Sequence, residues 1–391
     1  MIGACGGVAT TVSVGLAALR KGLTDSTGLV TALPMFESLP LVNWDDVVVG
    51  GHEIRQTDLL TEAVKLSRDS RVIDRETIIA CEDDLASFQK NIRPGVLHNC
   101  GQTIEKLADC EDSRRTVNQS ARASIDQIAG DLQQFVETNS LDRVVVVNVA
   151  STEPAPDLSQ LPETWAALAE NLDSSGCVLT SSSLYAIAAI ESGFPFVNFT
   201  PSVGGDIPSI EQLAIERKVC LAGKEGKTGE TFMKSVLAPA FKQRNLEIMS
   251  WVGHNIFGNM DGLVLDDPAN KETKVRSKDQ LLGQMLGYQP QSHISIEYIQ
   301  SLGDWKTAWD HIHFRGFLNT PMTLQFTWQG CDSILAAPLV LDLFRLTDLA
   351  SQRGEVGTLA FLASFFKSPQ GTDVNDFAQQ FQLLNDWCGN R

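Results

Sequence analysis

Gly3-Ala-Cys-Gly-Gly-Val-Ala-Thr-Thr11, running into Val12-Ser-Val-Gly-Leu-Ala-Ala-Leu-Arg-Lys-Gly22, decides how the rest of this 391-residue chain is read. Three glycines stand between a strand stub and a stretch whose apolar spacing fits a helix stopped by Gly22. At such a turn, backbone N–H groups and a helix dipole can cradle a pyrophosphate. The spacing G-x-x-G-G differs from G-x-G-x-x-G, so a plain tight strand–helix turn reads equally well. Only Met1 and Ile2 precede it, which leaves two expectations: a start upstream, or a clipped first strand.

Working outward, Gly28-Leu-Val-Thr-Ala-Leu33 reads as the second strand, and residues 58–140 read as polar and helical without a strong strand. Arg143-Val-Val-Val-Val-Asn-Val149 has the continuous apolar character of a parallel strand buried on both faces, and the polar loop Ala150–Pro154 follows it. A helix at Ser181–Glu191, a strand at Pro195–Asn198 and a helix near Ile210–Arg217 continue the alternation. That is the doubly wound α/β pattern. From about Leu246 to Trp328 the pattern changes to strands with alternating faces at Ile294–Ile299, Trp309–Phe314 and Met322–Trp328, a second, α+β domain. A long helix at about Asp332–Arg353 and a helical tail are expected to return to the first domain.

Composition narrows the function classes. Apolar residues make up 43% and charged residues 20%, with 48 acidic against 31 basic residues and a net charge of −17. That balance repels phosphate backbones and anionic lipid, which argues against nucleic-acid and membrane partners. It leaves room for a small anionic ligand where cations converge. The eight cysteines are scattered without a C-x-x-C pair, there is no long apolar run, and a cytoplasmic protein is the expectation.

Against that acidic background, Lys271, Lys274, Arg276 and Lys278 fall within eight residues. Ser277 reads as an N-cap for a helix starting at Lys278, so ammonium groups and helix N–H groups would converge on an anion. A solvated surface loop is the competing reading. His254-Asn-Ile-Phe-Gly-Asn-Met-Asp-Gly262 reads as a polar loop after a strand. Its Asn255, Asn259 and Asp261 suit a hard cation or a hydroxylated ligand, or simply a turn. His311 and His313 share one strand face without a third ligand and read as structural. Lys306 reads as part of a turn, and Lys367 as the end of an apolar run.

Taken in order, these stretches resemble the myo-inositol-1-phosphate synthase family, its archaeal and bacterial branch in particular. To the segments above add Val197–Ser202, Gly226-Lys-Thr-Gly-Glu-Thr231, Leu302-Gly-Asp-Trp-Lys306, Ala337–Asp342 and Phe365-Phe-Lys-Ser-Pro369. The resemblance implies a Rossmann-like NAD-binding domain over residues 1–225, completed by 331–391, and an inserted α+β catalytic and tetramerisation domain over 226–330. It implies conversion of D-glucose 6-phosphate to 1L-myo-inositol 1-phosphate by oxidation at C5, enolisation at C6, aldol closure onto C1 and return of the hydride, in the service of inositol and phospholipid synthesis.

Carried onto this sequence, the resemblance makes Lys274, Lys278, Lys306 and Lys367 catalytic, with Lys274 and Lys278 also on the substrate beside Asn255 and Asn259. It puts Gly3, Gly6, Gly7, Val8, Ala9, Ala150, Ser151, Thr152, Glu225, Thr228, Asp261, Asp332 and Ser333 around NAD. Asp261 would also hold a monovalent or divalent cation, and Glu225 stands where an aspartate is usual. A homotetramer is implied. Two alternatives remain: a sugar-phosphate dehydrogenase on the same scaffold, or a catalytically inactive nucleotide-binding assembly protein. Four unpaired ammonium groups would repel, so replacing one is expected to leave the fold intact or slightly steadier.

Overall fold

A computed structural model describes residues 1–174, 176–265 and 282–389, with the side chains of Asp261 and Leu265 left aside. Its larger sheet is parallel. β1 (Gly51–Glu53) pairs with β2 (Ile92–Pro94), and β3 (Val146–Asn148), β4 (Phe196–Asn198), β5 (Cys220–Gly223) and the short β10 (Gly357–Thr358) form a second run. Ile2 bridges His52 of β1 and Asn148 of β3, both in parallel, and so makes one sheet of the two. Ile2, an isolated bridge, thus stands between β1 and β3, where the strand order reverses.

Every residue of β3, β4 and β5 is buried, as a sheet covered on both faces requires. Alternate residues serve opposite cores. Val147, Val197, Cys220 and Ala222 pack with helices Gly7–Arg20 and Asp332–Gln352. Val146, Phe196 and Leu221 pack with Ala121–Asn139, Ser181–Glu191 and Pro208–Arg217. The doubly wound expectation holds.

The second sheet is ordered β7-β6-β8-β9, with β6 Glu247–Phe257, β7 Gln291–Tyr298, β8 Trp305–Arg315 and β9 Pro321–Cys331. β6 and β7 run parallel, and the other pairs are antiparallel. One face buries Ile248, Trp251, Ile312 and Phe314 against Ala238 and Phe241 of helix Glu230–Gln243. Away from that core, Trp309 stays 45% exposed, and Phe317 and Leu318 at the β8–β9 turn are 88% and 81% exposed.

Three local expectations are corrected. Gly28–Leu33 is not a strand: Val30–Ala32 is a single 3₁₀ turn. The Val30 and Thr31 N–H groups donate to the buried carboxylate of Asp342, at 2.6 and 3.1 Å, so a side chain replaces a sheet ladder. The second strand is β1 instead, and the stretch 58–140, read as helical without a strong strand, holds the three-residue β2. The segment starting at His254 is not a loop, because residues 254–257 complete β6, and Lys306 sits in β8 rather than in a turn.

Candidate active site

A cavity of about 660 Å³ opens at the C-terminal ends of the parallel strands, where ligands bind in doubly wound sheets. The glycine loop forms its floor. Gly3 has a left-handed φ of +75°, and a Cβ there would lie 2.8 Å from the Ala150 Cα, so the chain after β3 closes directly onto glycine. Gly6 caps helix Gly7–Arg20 without a side-chain bond, and the helix's first turn carries no acidic residue. Its first N–H groups and its positive dipole end therefore face the cavity, an arrangement suited to a pyrophosphate. At the end of β1, Glu53 Oε2 accepts the Cys5 N–H at 2.9 Å and is held by Arg55, which fixes the loop from behind.

Ala150, Ser151 and Thr152 follow β3 along one wall. Next to them Glu153 is buried, accepts the Ser182 N–H at 3.1 Å and so caps helix Ser181–Glu191. Burial pushes its carboxyl above the usual range.

Two ammonium–carboxylate pairs also line the cavity. Lys367 Nζ lies 2.9 Å from Glu225 Oε1, both largely buried. Lys306 Nζ lies 4.0 Å from Asp332 Oδ1 and 5.0 Å from the centre of the Phe257 ring. Thr228 Oγ1 donates to the same Asp332 oxygen at 3.5 Å. The expectation of unpaired ammoniums therefore fails for Lys306 and Lys367: each faces a carboxylate.

Asp304 ties these parts together. Its buried carboxylate accepts the Cys331 thiol and the Ser333 N–H, both at 2.8 Å, and the Asn259 amide at 3.2 Å. It thereby caps helix Asp332–Gln352 beside the glycine loop, and burial raises its pKa. Behind the cavity, the Lys227 ammonium meets the Gln380 amide oxygen and the Phe377 ring, and burial pushes it down to about 7.

The cavity thus gathers Gly3, Gly6, Gly7, Val8, Ala150, Ser151, Thr152, Glu225, Thr228, Asn259, Lys306, Asp332, Ser333 and Lys367 from the sequence-based set. Ala9 and Asn255 do not reach its wall. Ala9 is fully buried, and Asn255 is buried in β6 with its amide on Glu230 Oε2 at 2.7 Å. Lys274, Lys278 and the Asp261 side chain lie outside the described residues. Among the described residues, no group of three His, Cys, Asp or Glu is set to hold a metal ion.

The sequence reading missed Glu53, Glu153, Lys227 and Asp304. Asp304 had a usable signal, its place two residues before Lys306. Glu53 had none, because its strand was not recognised.

A family model described as myo-inositol-1-phosphate synthase matches residues 1–388. Inositol-3-phosphate synthase 1 of Bacteroides thetaiotaomicron is 32% identical over 99% of this chain and 92% of its own length. Inositol-3-phosphate synthase isozyme 1 of Arabidopsis thaliana is 30% identical over 82% of this chain, a match that spans 62% of the plant protein. In fold, the chain resembles inositol-3-phosphate synthase from Caenorhabditis elegans, with a TM-score of 0.87 at 23% identity over 99% of this chain and 84% of that one. It also resembles a myo-inositol-1-phosphate synthase-related protein from Thermotoga maritima, with a TM-score of 0.80 at 24% identity over 99% and 97%.

Proposed function

The chain belongs to the myo-inositol-1-phosphate synthase family, and we propose on that premise that it is an NAD-dependent isomerase converting D-glucose 6-phosphate to 1L-myo-inositol 1-phosphate. The observation that supports this reading is the joint presence, on one cavity, of an uncapped helix N-terminus behind glycines and two lysine–carboxylate pairs. A dinucleotide fits the first feature, since a Cβ at Gly3 would close the cradle onto Ala150. Bound NAD supplies an acceptor for a hydride that returns to the sugar, so the sum is an isomerisation.

The chain's own residues account for the charge that develops between those two events. Enolisation and aldol closure both build negative charge on oxygen, and ammonium groups held in place beforehand stabilise it without reorganising. Lys306 is braced by Asp332 and the Phe257 ring for that task. Lys367 can hold a proton, with Glu225 beside it to take up the charge change. The Asn259 amide, oriented by Asp304, offers a hydrogen bond to a sugar hydroxyl. Lys274 and Lys278 complete the proposal on the phosphate side.

The same proposal carries a cation at Asp261, which follows the cavity residue Met260. It also carries the division into residues 1–225 with 331–391 around NAD and 226–330 for catalysis and assembly. Homotetramer formation draws support from the exposed Trp309 and Phe317, which a partner would cover. Cytoplasmic location and supply to phospholipid synthesis belong to it as well.

Incubating the protein with glucose 6-phosphate and catalytic NAD should yield inositol phosphate. Stoichiometric NADH with an oxidised, uncyclised sugar phosphate would instead make it a dehydrogenase.

A further inference from the structure

Two elements that line the cavity touch at one seam. Helix Leu59–Ser70 contributes Glu62, Lys65 and Asp69, and the turn before β8 contributes Gln300 and Ser301. At the seam, the Trp305 indole Nε1–H donates to the Ser70 carbonyl at 2.7 Å, and the Asp304 N–H reaches Ser70 Oγ at 3.3 Å. Gly303 turns the chain with a φ of +56°, and a Cβ there would lie 3.4 Å from that hydroxyl. The final carbonyls of a helix have no intrahelical partner, so the indole satisfies one of them.

Trp305 is not on the cavity wall, whereas its neighbours Asp304 and Lys306 are. The residue is 36% exposed, and its one polar side-chain atom is bonded at the seam. What the bond does fix is the start of β8, one residue before the Lys306 ammonium and one after the carboxylate that caps helix Asp332–Gln352.

We propose that Trp305 is a positioning residue: its bond to Ser70 holds Lys306 in place across the cavity and closes the seam past which bound dinucleotide escapes. This rests on the reading that the cavity holds NAD. Lys306 then depends on a contact to the nucleotide-binding side of the molecule as well as on its own strand. Opening the seam loosens cofactor and catalytic ammonium together, although neither Trp305 nor Ser70 Oγ is assigned a contact with the substrate.

The test uses Trp305→Phe, which keeps an aromatic ring and deletes the N–H, and Ser70→Ala, which keeps the carbonyl and deletes the second bond. Each protein is loaded with NADH and chased with excess NAD, and the loss of bound-NADH fluorescence gives the release rate. Release from Trp305→Phe should be about tenfold faster, the equivalent of one hydrogen bond. Its kcat should fall by a similar factor, with KM for glucose 6-phosphate and Tm nearly unchanged. Ser70→Ala should move release and kcat in the same direction by less, and it decides the matter if Trp305→Phe does not fold. Unchanged release and kcat would overturn the proposal, as would a lower Tm with release unchanged. If wild-type protein bound no NADH, the functional reading itself would fall, an outcome distinct from wild-type binding with unaltered variants.

Discussion

Glu225 and Lys367 are joined twice, by side chains at 2.9 Å between Oε1 and Nζ and by the Lys367 N–H on the Glu225 carbonyl at 2.7 Å. The backbone bond belongs to a short antiparallel contact, Gly226 against Phe366, that brings the segment after β5 to the returning C-terminal chain. It holds the ammonium in register with the carboxylate whatever their charge states.

Lys367→Met should therefore destabilise the protein rather than relieve repulsion, because it removes the ammonium that lies 2.9 Å from a buried carboxylate. The loss should be on the order of 3 kcal/mol. Turnover should fall roughly 10²–10³-fold. Chemical denaturation checks the first statement and a turnover assay the second.

Two glycines near the first helix should respond in opposite ways to alanine. Gly3→Ala meets the Ala150 backbone at 2.8 Å from a left-handed φ, so strain of about 1–3 kcal/mol falls on the dinucleotide cradle. NAD affinity of the cofactor-free protein, measured by calorimetry, should drop at least several-fold. Gly15, inside the helix, has nothing within 4 Å of where a Cβ would sit. Gly15→Ala should raise stability by about 0.5–1 kcal/mol and leave NAD affinity unchanged.

Asp342 gives the fold a pH dependence with a definite sign. Burial raises its carboxyl to about 6, against the pull of the Thr31 and Val30 donors and Arg345. A carboxyl whose folded pKa exceeds its unfolded value, about 3.9, contributes stability that is complete below pH 4 and is lost as pH rises through 6. Between those limits wild type should lose at most about 3 kcal/mol relative to Asp342→Asn. Thermal scans of both proteins from pH 4 to 6.5 measure the difference, and a constant difference would contradict this assignment.

The doubly wound fold was legible because the apolar run at Arg143–Val149 and the glycine turn depend on local chemistry. The second strand was not. In Gly51-His-Glu53, two of three residues are polar, yet His52 and Glu53 are each only 6% exposed, held by Asp131 and Arg55 respectively. The apolar decoy Gly28–Leu33 lost its ladder to Asp342, some 310 positions away in sequence, a contact no local pattern announces. Of the candidate site, the glycine turn was legible from the residues alone, whereas Lys306 and Lys367 read by themselves as a turn residue and the end of an apolar run and were assigned to the site through the family resemblance. Their carboxylate partners Asp332 and Glu225 were found only through the family resemblance and were assigned to the cofactor, because pairing across 26 and 142 positions is a product of the fold. Asp304 went unread since it caps a helix that begins 28 residues later.

In the proposed reaction, hydride leaves and returns within one turnover while lysines carry the anionic charge in between. Glucose 6-phosphate deuterated at C5 tests it directly, with absorbance at 340 nm followed alongside mass analysis of the product. The product should be inositol phosphate that retains the deuterium, with no net NADH. Deuterium lost to accumulating NADH, or a product that never cyclises, would contradict it.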